Sequence, residues 1–433
     1  MFRISIRALG WTIVAAWIAT GAHATTFVVD PAGGGDFERI QDAIDASHHG
    51  DVIEVLPGTY FESLFYGGRR IVVRGVEGPE VTILDGEDSH NLATFLFGEP
   101  RASVLEGFTL RHGRGRPITA AAPVSVDLTS HPLSAADPRL RSLEQGEERG
   151  GTYGGAIVCS SAGPTLRNLI FEDNLANNGG GLAILFAAPL VDGCQFRGNV
   201  AGAGGGIFGR SDRTDFRDCV FEDNFTVFGG GFYGEDSQAT GQGSSFNGNI
   251  TAGGGSCYLL GTGNPGLATF HHCQFGANFS ADVNGITALF HDLVVRQSVF
   301  WARGPELHVT ASIVTTGGSL TVANCIFEGR NEDGVLACGS TNADIRCNVF
   351  YPGDVPQTCS PAASNRAVDP RFCDPSSGDF HVAEGSPCLP ENAPAGCGAI
   401  GIYPEAGCVA PRADGSSSPD AGVRTLRERA LTR

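Results

Sequence analysis

Six polar residues recur at a nearly constant interval and are the first candidates for chemistry. They are Arg167, Asp192, Arg217, Gln242, His271 and Arg296, with spacings of 25, 25, 25, 29 and 25 residues. Guanidinium groups bind carboxylates through paired hydrogen bonds, and imidazole titrates near neutral pH. We call these six residues the polar stripe. If they share one surface, they predict a groove for an anionic polysaccharide. Alternatively, they are ordinary outward polar positions, with Arg167, Asp192 and Arg217 forming a cross-strand charge ladder.

The interval belongs to a repeat that runs through the middle of the chain. Two residues after each stripe position, and after Ala323 in the next repeat, comes a small or apolar residue, and two further on comes Phe. The first set is Leu169, Cys194, Cys219, Ser244, Cys273, Ser298 and Cys325. The second set is Phe171, Phe196, Phe221, Phe246, Phe275, Phe300 and Phe327. Three residues after the first five Phe lie Asn174, Asn199, Asn224, Asn249 and Asn278, and glycine runs follow.

This period predicts an all-β fold. About 25 residues are too few for two helices with turns, but they accommodate three short strands and three turns. Stacked copies would pair in parallel, like residue above like, in a right-handed single-stranded parallel β-helix.

The recurring residues then have predicted structural roles. Each Asn tolerates a left-handed turn and bonds to the next Asn about 4.8 Å away, as an asparagine ladder. The glycines permit positive φ, and the Phe column stacks inside the coil. Cys194 and Cys219 occupy equivalent positions on adjacent coils, so they form either a disulfide or a pair of stacked buried thiols.

The flanking segments predict how the chain is organised. Arg3, Arg7, an apolar run and Ala22-His23-Ala24 are typical of a secretory signal. The predicted division is a signal peptide at 1–24, the β-helix at 25–360 with an inserted loop at 114–150, a Cys-rich cap at 361–408 and a disordered tail at 409–433.

A capping helix is predicted at the N-terminal end of the β-helix. Asp36 is its expected N-cap, Phe37, Ile40, Ala43 and Ile44 form its apolar face, and Gly50 ends it.

Composition limits the partners. The net charge is -18 and all 29 basic residues are Arg, which argues against nucleic acid. No segment after the signal is long and apolar enough to span a membrane. Thirteen Cys permit disulfides in an oxidising compartment. We therefore expect a monomer exported to the periplasm, the cell surface or the medium, contacting a polysaccharide or another surface component.

Three stretches resemble known β-helix families. "GGAI" at Gly154–Ile157, followed by "FEDN", "FRGN" and "FEDN", resembles the repeats of polymorphic outer membrane proteins, which are adhesins. The opening "DFERIQDAIDAS" with "GDVIEVLPGTY" looks like the entry of pectin-lyase-like proteins, including pectin methylesterases. The closing "DPRFCDP…GSPC…IGIYP" is similar to the end of secreted bacterial β-helix repeat proteins. These resemblances imply the fold and a surface or carbohydrate-related role.

Two functional readings follow. The first is a non-enzymatic carbohydrate-binding, adhesive or structural module without a cofactor or metal. The alternative is a polysaccharide lyase or hydrolase acting on acidic glycans; lyases of this class use Asp/Glu-bound calcium and an Arg or Lys base. The chain lacks Lys, a recognised catalytic segment and a compact carboxylate cluster, which favours the non-enzymatic alternative, and we assign no catalytic residue.

Overall fold

The computed structural model describes residues 24–118, 151–264, 266–280, 283–301, 311–329, 335–339, 342–357 and 359–408. Most of the predicted signal peptide, residues 119–150 of the predicted loop and the predicted tail lie outside these residues.

The described chain forms a parallel β-helix, as the repeat predicts. Short strands from successive coils pair in register, so each repeat position becomes a column along the solenoid axis. Sheet A contains Thr26–Val29, Val52–Val55, Val72–Gly75, Val104–Glu106, Thr165–Arg167, Leu190–Asp192, Asp215–Arg217, Thr240–Gln242, Leu267–His271, Asp292–Arg296, Ser319–Ala323 and Asn342–Arg346. Sheet B contains Gly58–Tyr60, Thr82–Asp85, Thr109–Arg111, Ile170–Glu172, Gln195–Arg197, Val220–Glu222, Ser245–Asn247, Gln274–Gly276, Val299–Trp301, Ile326–Glu328, Val349–Tyr351 and Arg366–Ala367.

Two further sheets complete the coils. Sheet C contains Leu64–Phe65, Ala93–Phe95, Ile157–Ser160, Leu182–Leu185, Ile207–Arg210, Phe232–Glu235, Cys257–Leu260, Val283–Leu289, Ala311–Thr316 and Leu336–Gly339. Sheet D contains Arg116–Pro117, Thr152–Tyr153, Leu175–Asn178, Val200–Ala203, Phe225–Phe228, Ile250–Gly253 and Phe279–Ser280. The central coils therefore have four strands, not the predicted three. The fourth strand lies between Asn and the glycines, where the residues pair with their counterparts one coil away.

Stacked Phe rings fill the interior. From Phe171 to Phe350 each ring lies parallel to the next, with centroids 4.3–5.1 Å apart. Beside them, Cys194 and Cys219 are buried free thiols rather than a disulfide. Burial raises the pKa of Cys194 to about 12, so this thiol stays protonated.

The turn that joins the Phe strand of sheet B to sheet D differs from prediction in one detail. The left-handed residue is the one before Asn, as in Asp173 at φ 52° and Asp223 at φ 54°. Asn itself is buried and uses its side chain to bond neighbouring coils. The glycine prediction is correct at Gly204, which has φ +66°.

A short helix, Ile40–Ala46, follows the first strand. Ile40, Ala43 and Ile44 are buried as predicted, but the predicted N-cap is wrong. Asp36 instead accepts a hydrogen bond from the Val28 amide at 2.8 Å. The first helical amides donate to the Glu62 carboxylate, at 2.9 Å from Ile40 and 3.0 Å from Gln41.

The end of this helix also differs from prediction. It ends at Ala46, four residues before the predicted Gly50, and the Ser47 hydroxyl donates to the Ile44 carbonyl. The role of the helix as an end cap stays a prediction.

The Cys-rich end of the chain, from Cys338 to Cys408, contains three disulfides: Cys338–Cys359, Cys347–Cys397 and Cys373–Cys408; of these, Cys373–Cys408 lies wholly within the predicted cap at 361–408. Its sheet consists of Phe372–Asp374, Asp379–Ala383 and Ala406–Cys408, with a 3-10 turn at Pro375–Ser377. Apolar residues of this segment, including Phe380 and Ile400, pack against outward residues of sheet B such as Val299 and Val349. The segment therefore covers the side of the last coils.

Candidate functional site

The polar stripe forms one continuous column on the outer face of sheet A. Each member is the register partner of the next, from Arg167 through Arg296. The preceding residue of each strand points inward; Val191, Phe216 and Phe270, for example, are fully buried. Strand alternation therefore directs the stripe residues outward. The repeat spacing correctly placed all six residues in one column.

The column extends beyond the six residues of the polar stripe. Glu54, Arg74 and Glu106 precede Arg167 in register. Ala323 and Arg346 follow Arg296. The irregular lengths of the first coils hid the three early members. Their common signal is a charged residue one position after a buried apolar residue in "VIEV", "VVRG" and "VLEG".

The first half of this column is an ion-pair ladder. Arg74 lies 3.3 Å from Glu54 and 3.7 Å from Glu106. Arg167 lies 3.4 Å from Glu106 and 3.2 Å from Asp192. These partly exposed pairs contribute little to stability, but they neutralise one another. This half therefore offers no net positive surface to an anionic ligand.

Arg217 does not form the cross-strand ion pair with Asp192 that the predicted charge ladder would require. Its Nε donates to Asp215 Oδ1 at 3.1 Å, and Nη2 donates to Asp215 Oδ2. Asp215 lies two residues earlier on the same strand, so both side chains leave the same face. These hydrogen bonds raise the pKa of Arg217. Arg217 is thus fixed in position while half of its side chain stays exposed.

The end of the stripe carries the uncompensated charge. Arg296 is exposed and forms no ion pair with any described residue. Burial lowers the pKa of His271, and the adjacent Arg296 and His272 lower it further. His271 is therefore neutral at pH 7, with a ring nitrogen available as an acceptor and another as a donor. Gln242, which is exposed, adds an amide between Arg217 and His271.

Tight turns hold the stripe at a fixed distance from sheet B. The residue after each stripe position is left-handed, including Asp218 at φ 50° and His272 at φ 53°. At Gly243 a Cβ atom would lie 2.3 Å from Asp218 Oδ1, so a side chain there would displace the Asp218 carboxylate. The result is a row of outward groups spaced by the strand separation, about 4.8 Å.

The asparagine ladder lies away from the stripe and inside the coil. Asn174, Asn199, Asn224, Asn249 and Asn278 are all buried. Each of the first four donates from Nδ2 to the next Oδ1 at 2.9–3.0 Å. Each Oδ1 also accepts a backbone amide from the preceding Asn of the ladder or, for Asn174, from Gly113. With its hydrogen bonds used internally, this ladder is not available to a ligand.

Other possible centres are limited in the part of the chain that the structure describes. No group of three or more His, Cys, Asp or Glu side chains there could hold a metal ion. No described helix is long and apolar enough to cross a membrane.

Comparisons with known proteins show the fold. No protein-family model matches the chain, and no characterised protein matches it by sequence. Among solved structures, pectate lyase Pel9A aligns with a TM-score of 0.51 at 14% identity, covering 88% of this chain and 97% of Pel9A. A pectin methylesterase from Aspergillus niger (TM-score 0.30, 13% identity, 81% and 92% coverage) also aligns. So does the Streptococcus pneumoniae adhesin PfbA (TM-score 0.25, 14% identity, 70% and 87% coverage).

These likenesses have a limited meaning. At 14% identity the match to Pel9A shows a shared architecture and gives no information about activity. The other two alignments are too weak to support an argument. The resemblance to polymorphic outer membrane protein repeats stays a prediction. The chain has the pectin-lyase-like parallel β-helix fold.

Proposed function

We propose that this protein is an exported, non-catalytic module that binds an acidic polysaccharide along the second half of the polar stripe. The ligand-contacting residues are Arg217, Gln242, His271 and Arg296. The observation that carries the proposal is the exposed Arg296, which forms no ion pair with any described residue and lies beside a neutral imidazole, on a column whose first half is internally neutralised.

The spacing of these groups suits an extended sugar chain. Adjacent strands are about 4.8 Å apart, close to the length of one pyranose in an extended polymer. A uronic acid chain lying along the axis would place a carboxylate near Arg296. Its hydroxyl groups would meet Gln242 and His271. A guanidinium binds a carboxylate with two hydrogen bonds and without chemistry on the sugar.

The disulfides support export. Three disulfides between Cys338 and Cys408 are typical of an oxidising compartment, and surface polysaccharides are found there. The secretory signal predicted at the N-terminus leads to the same proposal.

Binding to immobilised polygalacturonate and alginate would test this function. The test variant is R217Q/R296Q, and the matched control is R197Q. Arg197 is similarly exposed but pairs with Glu172 at 2.9 Å on sheet B. A lost charge-assisted hydrogen bond costs about tenfold in affinity, so we expect the double variant to bind at least about tenfold more weakly. R197Q should bind like the wild type.

Two results would contradict the proposal. The first is a double variant that binds as tightly as R197Q. The second is ultraviolet absorbance from unsaturated uronides on incubation with either polymer, with or without calcium, which would indicate a lyase.

A further inference from the structure

Three exposed phenylalanines lie in one column at the corner between sheets C and A. The column can be followed through backbone hydrogen bonds from Ser161 to Leu185, Phe186 to Arg210, Ser211 to Glu235, Asp236 to Leu260, Gly261 to Leu289 and Phe290 to Thr316. Phe97 precedes Ser161 in the same column, because Phe95 pairs with Cys159. We call Phe97, Phe186 and Phe290 the phenylalanine corner. Their exposed fractions are 65%, 56% and 59%.

Single exposed apolar residues are normal on protein surfaces, but these three phenylalanines are aligned in one column. Between the three rings the column contains Ser161, Ser211, Asp236 and Gly261. The repeat therefore accepts small or polar residues at this corner. The fold does not need an aromatic residue there.

The backbone makes the choice of Phe more unusual. Phe186 has φ 51° and Phe290 has φ 53°, in the left-handed region that bulky residues avoid. Each such residue strains the backbone unless other contacts compensate. Rings that remain more than half exposed offset little of that strain by burial. Stability of the free protein therefore does not account for these two residues.

The geometry of the corner matches an extended chain. Phe97 and Phe186 are two coils apart, about 10 Å, and Phe186 and Phe290 are four coils apart, about 19 Å. Both separations are multiples of the same two-coil step. That step is close to the length of a disaccharide in an extended β-linked polymer, whose successive disaccharides present equivalent faces. Ser161 lies between Phe97 and Phe186 in the column, and Ser211 follows Phe186. Their hydroxyl groups are at positions where a sugar would need hydrogen-bonding groups.

The chemistry of the column favours a neutral glycan over other partners. No basic residue occupies the column, so it lacks the cations that attract anionic lipid or an acidic sugar. The rings are separated by polar residues, whereas a protein interface has a contiguous apolar centre. Pyranose rings offer apolar CH faces alternating with hydroxyl groups.

The geometry points to a second binding surface: the phenylalanine corner binds a neutral β-linked polysaccharide lying parallel to the solenoid axis. Each Phe packs against the apolar face of a sugar two or four coils from the next ring. This surface is separate from the polar stripe. Because it uses no charge, its affinity is insensitive to salt, whereas binding at the stripe weakens as salt screens Arg296.

Retention on microcrystalline cellulose and insoluble chitin tests this surface. The assay uses the full chain in about 1 M NaCl, where the screening length is about 3 Å and the stripe contributes little. The variant is F97S/F186S/F290S. Serine is the natural residue at the equivalent positions 161 and 211, with φ 53° and 47°, so the backbone is compatible. The matched control is F61S, because Phe61 is 60% exposed but lies between sheets B and C.

We expect the wild type and F61S to be retained on at least one of these polymers. Each ring removed should lower affinity by roughly two- to tenfold, and the triple variant should lose at least about tenfold. Thermal unfolding of the triple variant at or above the wild-type temperature would show that the fold is intact.

Three outcomes would overturn the proposal: no retention of the wild type on either polymer, equal retention of the triple variant, or equal loss in F61S. Binding to phosphatidylcholine vesicles that the triple variant loses, without polymer retention, would assign the corner to membranes. The stripe variant R217Q/R296Q should be retained on these polymers like the wild type, so failure of the stripe proposal and of this one can be told apart.

Discussion

Replacing Asn224 with alanine should strongly destabilise the β-helix. Asn224 is fully buried in the middle of the asparagine ladder. Its Nδ2 donates to the Phe196 carbonyl and to Asn249 Oδ1, both at 2.9 Å. Its Oδ1 accepts from Asn199 Nδ2 at 2.9 Å and from the Asn199 amide at 3.1 Å. The substitution removes four buried hydrogen bonds that link three coils.

The magnitude follows from these contacts. Each buried hydrogen bond contributes about 1 kcal/mol, and groups left unpaired cost more, so N224A should lower the free energy of unfolding by about 4 kcal/mol. Asn278 ends the ladder and makes three such bonds with residues that the structure describes, donating to the Phe246 carbonyl and accepting from Asn249 Nδ2 and the Asn249 amide. N278A should therefore be milder than N224A by about 1 kcal/mol.

Urea unfolding followed by circular dichroism measures this effect. The matched control is N247A, because Asn247 lies on the outward face of sheet B and its Oδ1 has no hydrogen-bond partner. We expect the urea midpoint to fall by more than about 1 M for N224A and to change little for N247A. Equal midpoints for the two variants would refute the structural role assigned to the ladder.

Three further predictions concern the turns, the stripe and the sheet edge. G204A should destabilise the protein by about 2 kcal/mol, since Gly204 has φ +66° and a Cβ would lie 2.3 Å from the Ile207 carbonyl oxygen. Urea unfolding measures this loss, and an unchanged free energy of unfolding would contradict the role assigned to Gly204. Burial lowers the pKa of His271 below 6.5, so polygalacturonate binding should strengthen only as the pH falls below that value and protonation adds a positive charge. The H271Q variant should lose this part of the pH profile of binding. An unchanged profile would contradict the role assigned to His271. The Gln41 side chain covers the edge strand of sheet C: its Oε1 accepts from the Phe65 backbone amide at 2.8 Å, and its Nε2 donates to the Phe65 carbonyl at 3.3 Å. Q41L should therefore promote self-association through this edge, measured by light scattering. A monodisperse variant would show that other residues protect the edge.

The repeat made the columns predictable. In parallel in-register stacking, equal position in the repeat means equal position on the coil, so spacing alone placed Phe171 above Phe196 and Arg167 beside Asp192. Side-chain pairing was less predictable. Arg217 lies within reach of acids on its own and the preceding strand, and the sequence does not say that it bonds Asp215.

Local conformation explains the other differences. The "LANN" and "VAGA" segments form a fourth strand that the prediction of three strands did not include, and they pair as sheet D once coils stack. Glu62, not Asp36, accepts the first amides of the helix. Glu62 is 22 residues after Ile40 in the sequence and is brought next to the Ile40 amide only by folding. The exposure of Phe186 and its left-handed backbone depend on the corner geometry, which a period cannot reveal.

The most direct test of acidic polysaccharide binding is a crystal structure of the protein with tetragalacturonate. The predicted result is a sugar chain parallel to the solenoid axis over sheet A, with a carboxylate paired to Arg296 and hydroxyl groups contacting Gln242 and His271. An oligosaccharide bound elsewhere, or no bound oligosaccharide at concentrations that saturate binding in solution, would contradict the account.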